Sequence, residues 1–324
     1  MIKFITDSSS DLFNLMGQSL ATVPLSIATD EREYIDDENL DNHEMLDYML
    51  SYKGKSRTSC PPVDAWIQAF DHAEAFDFGA AKLGAFGSAE AAGLGGVGSA
   101  GAAGAALYGA AGADGAAAIS DEGLEIYVVT LTSGLSGTYN SACLAKDMYL
   151  EDHPDAKILV IDSLSVGPEI RLIIEKMVSL KACGKTFEEV SEEILAYQKK
   201  TRLYFGFTSI HNLVMNGRVS KIAGAAVSAL NMTVMGTASP EGTIATGRKA
   251  RGKKKVIRGF LEDLREANYT SGKIYITHVE NEEFAQEVKR AILSEYPAAV
   301  IETYPTRGLV SYYGERGGIV LACE

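Results

Sequence analysis

The chain has 324 residues, with 30 basic and 43 acidic side chains and a formal net charge of −13. That balance disfavours a nucleic-acid binder, whose affinity rests on neutralising phosphates, and the 46% hydrophobic and 23% charged content excludes global disorder. Cys60, Cys143, Cys183 and Cys323 are widely spaced with no CxxC pair, which argues against a zinc site or disulfide scaffold and fits a reducing, cytoplasmic setting.

Residues 2–6 form a short apolar run that ends at Asp7, too short for a signal-peptide core and of strand character. They lead into Ser8-Ser9-Ser10-Asp11. A second hydroxyl-rich turn follows at Ser56-Arg57-Thr58-Ser59-Cys60-Pro61-Pro62. From Gly79 to Ala118 the composition changes sharply, to 17 Ala and 12 Gly in 40 residues. So few large side chains cannot readily offset the entropy of ordering them, and the stretch of about 76–120 reads as a low-complexity insertion, a loop or a helical lid. Outside it, no run of about 18 strongly apolar residues indicates a membrane span.

After the insertion, short apolar runs alternate with amphipathic segments. Strands are predicted at 125–131, 157–162, 202–207, 273–277, 300–303 and 318–322. Helices are predicted at 139–150, 169–182, 187–200, 253–267 and 281–294, and Thr186-Phe187-Glu188-Glu189 has the form of a capping box. The alternation predicts mostly parallel sheets covered by helices, with a domain boundary near 162–167. Ligands of such sheets bind beyond the carboxyl ends of the strands. The strand at 125–131 runs into Thr132-Ser133-Gly134-Leu135-Ser136-Gly137-Thr138. Three hydroxyl-rich turns at one sheet edge would offer hydroxyls and amides to a carboxylate or phosphate. Singly, each turn is more economically a helix cap or a chain reversal.

Several motifs fail on inspection. Thr138 stands where a nucleophile elbow needs its second glycine. Gly184-Lys185-Thr186 has the end of a phosphate loop, but Ser179 occupies the first glycine position. Gly93-Leu94-Gly95-Gly96-Val97-Gly98 matches a dinucleotide pattern within the Ala/Gly stretch, with no strand before it. None of the five histidines has metal-ligand spacing. His278 follows a predicted strand directly, as a capping histidine or a partner for a bound carboxylate. Basic side chains gather at Arg218 and over residues 248–255. Basic charge opposes the dipole at a helix start, which favours an anionic partner there.

Taken together, Ile5-Thr6-Asp7-Ser8-Ser9-Ser10-Asp11-Leu12, Val23-Pro24-Leu25, Thr58-Ser59-x-Pro61, the block from Thr132 to Ala142, Asp162-Ser163, Gly217-Arg218-Val219-Ser220 and Arg251-Gly252-Lys253-Lys254 resemble the bacterial DegV family. The family consists of fatty-acid-binding proteins that serve as acyl carriers for fatty acid kinase. The resemblance implies two α/β domains, 1–163 and 164–324, with mostly parallel sheets and a lipid tunnel at their interface. It implies a long-chain fatty acid as ligand, no cofactor or metal, no catalysis by the chain itself, a partner kinase and transient contact with a membrane enzyme. Thr58, Ser59, Thr132, Ser133 and His278 would meet the carboxylate, supported by Asp7, Ser8, Gly134, Ser136 and Gly137. Gly134 and Gly137 would permit close backbone approach. Arg218 and Arg251 would dock the kinase. Cys60, the His278-Val279-Glu280 turn and the tail from Ser311 to Gly318 depart from the family pattern. The other reading of the hydroxyl cluster is an enzyme acting on a small anionic substrate, which needs a positioned base beside a nucleophile.

Overall fold

The computed structural model describes residues 1–79, 123–219 and 232–324. The Ala/Gly stretch beyond Gly79, with its glycine motif at 93–98, and Ser220 lie outside the described residues.

The first part of the chain runs β1 (Ile2–Asp7), β2 (Asn14–Leu15), β3 (Gln18–Ser19), β4 (Ala21–Val23), β5 (Ser26–Ala28), β6 (Glu33–Ile35), α1 (Asn42–Ser51), β7 (Arg57–Ser59) and α2 (Val63–His72). Beyond the insertion come β8 (Glu125–Thr130), α3 (Thr138–Asp152), β9 (Lys157–Asp162), α4 (Pro168–Ala182) and α5 (Phe187–Gln198). Next are β10 (Arg202–Phe207), α6 (His211–Met215), β11 (Met232–Ala238), β12 (Ile244–Arg251) and α7 (Lys253–Glu266). The chain closes with β13 (Gly272–His278), α8 (Glu282–Glu295), β14 (Ala299–Pro305), α9 (Gly308–Gly314) and β15 (Ile319–Cys323). No helix among the described residues is long and apolar enough to cross a membrane.

Two sheets organise these elements. The first has strand order β4-β1-β8-β9 and is parallel throughout, as the β/α alternation predicts. Its strands are apolar on both faces because helices cover both. Trp66 and Phe70 of α2 join Ala142 and Ala145 of α3 on one side, and Ile170, Ile173 and Met177 of α4 pack on the other. The second sheet, β12-β11-β10-β15-β13-β14, departs from the expected parallel order. Only β13 and β14 pair in parallel, and the other four pairings are antiparallel. In this sheet, among the described residues, only β13-α8-β14 is a parallel crossover between neighbouring strands. The tight turn at 239–243 reverses β11 directly into β12, which forces antiparallel pairing. Arg248 to Arg251 accordingly belong to β12, and the basic run enters a helix only at Lys253.

The core of the first sheet continues past residue 163, since α4 and α5 share its hydrophobic cluster. Gly167, with φ +57°, turns the chain and Pro168 opens α4. The predicted capping box forms: Glu189 N donates to Thr186 Oγ1 at 3.2 Å, and Thr186 N donates to Glu189 Oε2 at 2.8 Å. On its far side α4 meets the second sheet. Leu172 packs with Tyr275 and Ala322. Arg171 stacks over Tyr275 at 4.0 Å and Tyr304 at 5.0 Å, and its Nε donates to Glu175 at 2.8 Å.

Candidate functional site

The site begins where β1 and β8 end side by side. Asp7 closes β1 and is fully buried. Its carboxylate accepts Leu131 N at 2.6 Å and Ser9 N at 2.9 Å, together with the Ser9 hydroxyl. Burial pushes its pKa up to about 6, against the pull of these donors. Ser8 Oγ accepts Leu25 N at 3.0 Å. Asp7 and Ser8 thus hold the loops carrying Leu25 and Leu131, both of which line a cavity. Two more buried carboxylates bring α9 onto this end. Asp11 accepts Arg307 N at 2.6 Å, and Asp36 accepts Gly308 N and Leu309 N, each at 2.8 Å.

The cavity lies between the two sheets and is mainly hydrocarbon, with Leu25, Leu131, Leu135, Phe205, Phe207 and Val320 in its wall. Its volume open to water centres is about 90 Å³, several times the ~10–15 Å³ that one water needs. Among the described residues, its polar lining includes Thr58, Thr132, Ser136, Arg218 and Tyr313. Several of these residues are held by hydrogen bonds. Thr58 Oγ1 and the Tyr313 hydroxyl are 2.8 Å apart. Burial raises the Tyr313 phenol pKa, while the Thr58 bond and the Arg218 charge lower it. Arg218 Nε donates to Leu135 O at 3.3 Å, and Ser136 N donates to Thr132 O at 3.2 Å.

The predicted residues separate into those in the cavity and those outside it. The expected turn around Thr58 is strand β7, paired with β5. Strand alternation turns Thr58 inward and leaves Ser59 exposed. Thr132 is buried in the wall, donating to Gly242 O at 3.0 Å and accepting Gly134 N at 3.1 Å. Ser133 is exposed, its amide held by Asp162 Oδ1 at 3.0 Å. Ser136 lines the cavity and shares a 2.7 Å bond with Thr138. Gly134 permits a close approach, because a Cβ there would lie 2.7 Å from Glu241 O. Gly137 does not need to be glycine on this ground: a Cβ would make an ordinary 3.5 Å contact with Cys60 Sγ. Gly242 carries the tighter constraint, with φ +72° and a Cβ position 2.0 Å from Thr132 Oγ1.

His278 is not among the residues that line the cavity. It ends β13, level with Pro305 and Ile319, and its Nδ1 accepts Asn281 N at 3.3 Å. Burial lowers its pKa, favouring the neutral ring that this acceptor role requires. Its geometry is that of a turn-capping histidine. Arg218 is half-buried at the cavity, whereas Arg251 is exposed and borders a separate cleft with Lys253, Asn281, Met232 and Phe284.

Sequence reasoning missed Tyr313, Gly242 and the phenylalanines of β10. The Tyr312-Tyr313 pair was visible as a departure in the tail, but nothing local marks α9 as a helix reaching the Thr58 strand.

A family model described as "Uncharacterised protein, DegV family" matches residues 1–79 and 116–322, passing over most of the Ala/Gly stretch. A DegV domain-containing protein of Streptococcus pneumoniae (strain ATCC BAA-255 / R6) is 36% identical over 326 residues, covering 99% of this chain and 98% of the relative. Among solved structures, a DegV family protein from Eubacterium eligens, loaded with heptadecanoic acid, superposes with a TM-score of 0.82 at 39% identity, covering 100% of this chain and 99% of that one. The Streptococcus pneumoniae Fatty Acid Kinase (Fak) B3 protein, loaded with linoleic acid, gives 0.81 at 35% identity, covering 100% of this chain and 99% of that one. With the parallel sheet, the mixed sheet and the cavity between them, these matches show that the chain belongs to the DegV family.

Proposed function

We propose that this protein binds one long-chain fatty acid, with its hydrocarbon in the cavity between the sheets and its carboxylate at the Thr58–Tyr313–Arg218 group. The observation that carries the reading is the cavity itself: a hydrocarbon wall that gathers Thr58, Tyr313, Arg218, Ser136 and Thr132, with Thr58 and Tyr313 hydrogen-bonded to each other. Each methylene buried there contributes about 0.8 kcal/mol. The carboxylate, which would be costly to bury alone, meets hydroxyls and one guanidinium. Ser59 and Ser133 stand exposed nearby in sequence, free to touch a partner. The fatty acids in the Eubacterium eligens and Streptococcus pneumoniae relatives support the ligand class.

The finer reading is a carrier. The chain presents the carboxylate to a partner fatty acid kinase, which phosphorylates it, and then carries the acyl phosphate. The kinase name borne by the pneumococcal relative supports this role. Exposed Arg251 belongs to the docking surface, and Arg218, turned to the cavity, belongs to the head-group site. Catalysis rests with the kinase: Asp7 is engaged by backbone and Ser9, and His278 by Asn281, so neither is a free base beside the cavity hydroxyls.

Mass spectrometry of organic-solvent extracts from protein purified without added lipid tests the ligand. A fatty acid at near one per chain is expected. An extract still empty after incubation with a panel of fatty acids overturns the reading in favour of a small-anion enzyme.

A further inference from the structure

We infer that Leu203, Thr237 and Ala238 form the terminal wall of the acyl cavity and set the longest chain it accepts. This rests on the fatty-acid reading above. Strand β10 turns Leu203, Phe205 and Phe207 to the cavity. Phe207 stands at the tyrosine end, since a Cβ on Gly314, the residue after Tyr313, would lie 3.2 Å from its ring. A strand rises about 3.3 Å per residue, which places Leu203 about 13 Å farther along.

There the surroundings change. Leu203, Thr237 and Ala238 line the acyl cavity and also a second cleft, whose other walls mix Leu164, Leu195 and Pro240 with Gln198, Lys199 and Arg202. The same three residues therefore separate the hydrocarbon cavity from a surface cleft that carries the exposed Leu195, Lys199 and Arg202. Thr237 Oγ1 donates to Leu203 O at 2.6 Å, which pins the partition. A methyl end that stops at the wall is fully buried. A longer chain must displace the wall and place its last methylenes in that surface cleft, where less of their area leaves water and each stabilises less.

The test uses the full chain, delipidated and equilibrated with an equimolar series of saturated acids from myristic to behenic, followed by quantitation of the retained acids. Leu203→Ala opens the wall and is expected to lengthen the longest acid retained by two carbons or more. The gain is about fifteenfold for an acid two methylenes longer, each buried methylene being worth about fourfold. Ala238→Leu thickens the wall and moves the profile to shorter acids, so it carries the test alone if Leu203→Ala does not fold. Chain-length profiles identical to wild type in folded variants overturn the wall while leaving the fatty-acid reading intact. A wild-type protein that retains no acid from the series overturns both.

Discussion

The hydroxyls of Thr58 and Tyr313 lie 2.8 Å apart although 255 residues separate them in sequence. One comes from a strand paired in a small antiparallel sheet, the other from a helix that buried carboxylates hold in place. Their meeting defines the polar part of the cavity. It also makes the head-group assignment testable one atom at a time.

Tyr313→Phe removes one hydroxyl and keeps the ring that packs the wall. It should weaken fatty-acid retention by about 1–3 kcal/mol, the usual cost of leaving a buried polar partner unmet. Thr58→Val should do the same, and the double variant should cost less than the sum, because both changes remove one shared bond. Displacement of a fluorescent fatty acid measures this. Retention equal to wild type in both single variants would remove the pair from the site.

His278→Gln and Ser133→Ala should leave fatty-acid affinity within a factor of about three, since neither side chain lines the cavity and a change that removes no ligand contact costs no more than about 0.5 kcal/mol of binding. A tenfold loss in either, with the melting temperature unchanged, would return that residue to the carboxylate site.

Asp7 governs a pH dependence whose sign follows from its burial. Its folded pKa is pushed up to about 6, above its ordinary value. The folded state then binds the proton more tightly than the unfolded state. The stability this contributes is fully present below about pH 4 and is lost as pH rises through about 6. Unfolding free energy should therefore fall from pH 4.5 to 7, and Asp36, also raised to about 6, adds to the same slope. Asp7→Asn should flatten the slope by about 1–3 kcal/mol across that window. Urea titrations at several pH values decide the matter, and equal slopes in the two proteins would refute it.

Gly242→Ala places a methyl on Thr132 Oγ1 at a residue whose φ is +72°. It should destabilise the protein by about 1–3 kcal/mol and lower fatty-acid retention, because the 239–243 turn closes on the cavity wall. Gly137→Ala, with room for its methyl, should change stability by no more than about 0.5 kcal/mol. Similar unfolding midpoints for the two variants would contradict the close-approach argument.

Arg171→Ala should cost about 1–3 kcal/mol, since it removes the guanidinium stacked on Tyr275 and one partner of buried Glu175, which keeps Lys273 at 3.1 Å and the Tyr275 hydroxyl. Arg171→Lys should restore only part of this, because an ammonium neither forks nor stacks in the same way. Chemical denaturation gives both values, and a full rescue by lysine would show that charge alone matters there.

Much of this was legible locally. The all-parallel first sheet follows from apolar runs followed by amphipathic segments, and the Thr186–Glu189 capping box forms where its four residues place it. The turns after residues 7 and 131 lie at one sheet edge because their parent strands are parallel neighbours. These features depend on side-chain periodicity and on contacts within a turn or two of chain, so the order of residues carries them.

The tertiary structure decided the rest. The three-residue strands β4 to β7 carry too short a pattern to be read. The second sheet pairs mostly antiparallel, in one case because a tight turn leads β11 back along β12, which composition does not reveal. Alternation along β7 separated Thr58 from Ser59, and the register of β13 against β15 kept His278 out of the cavity. Tyr313 entered the site only because Asp11 and Asp36 hold the start of α9 from the other end of the sequence. The sequence by itself determined which residue types could bind a carboxylate and which runs would become core. Which hydroxyls meet was settled by strand register and long-range hydrogen bonds, interactions between residues hundreds of positions apart that no local pattern encodes.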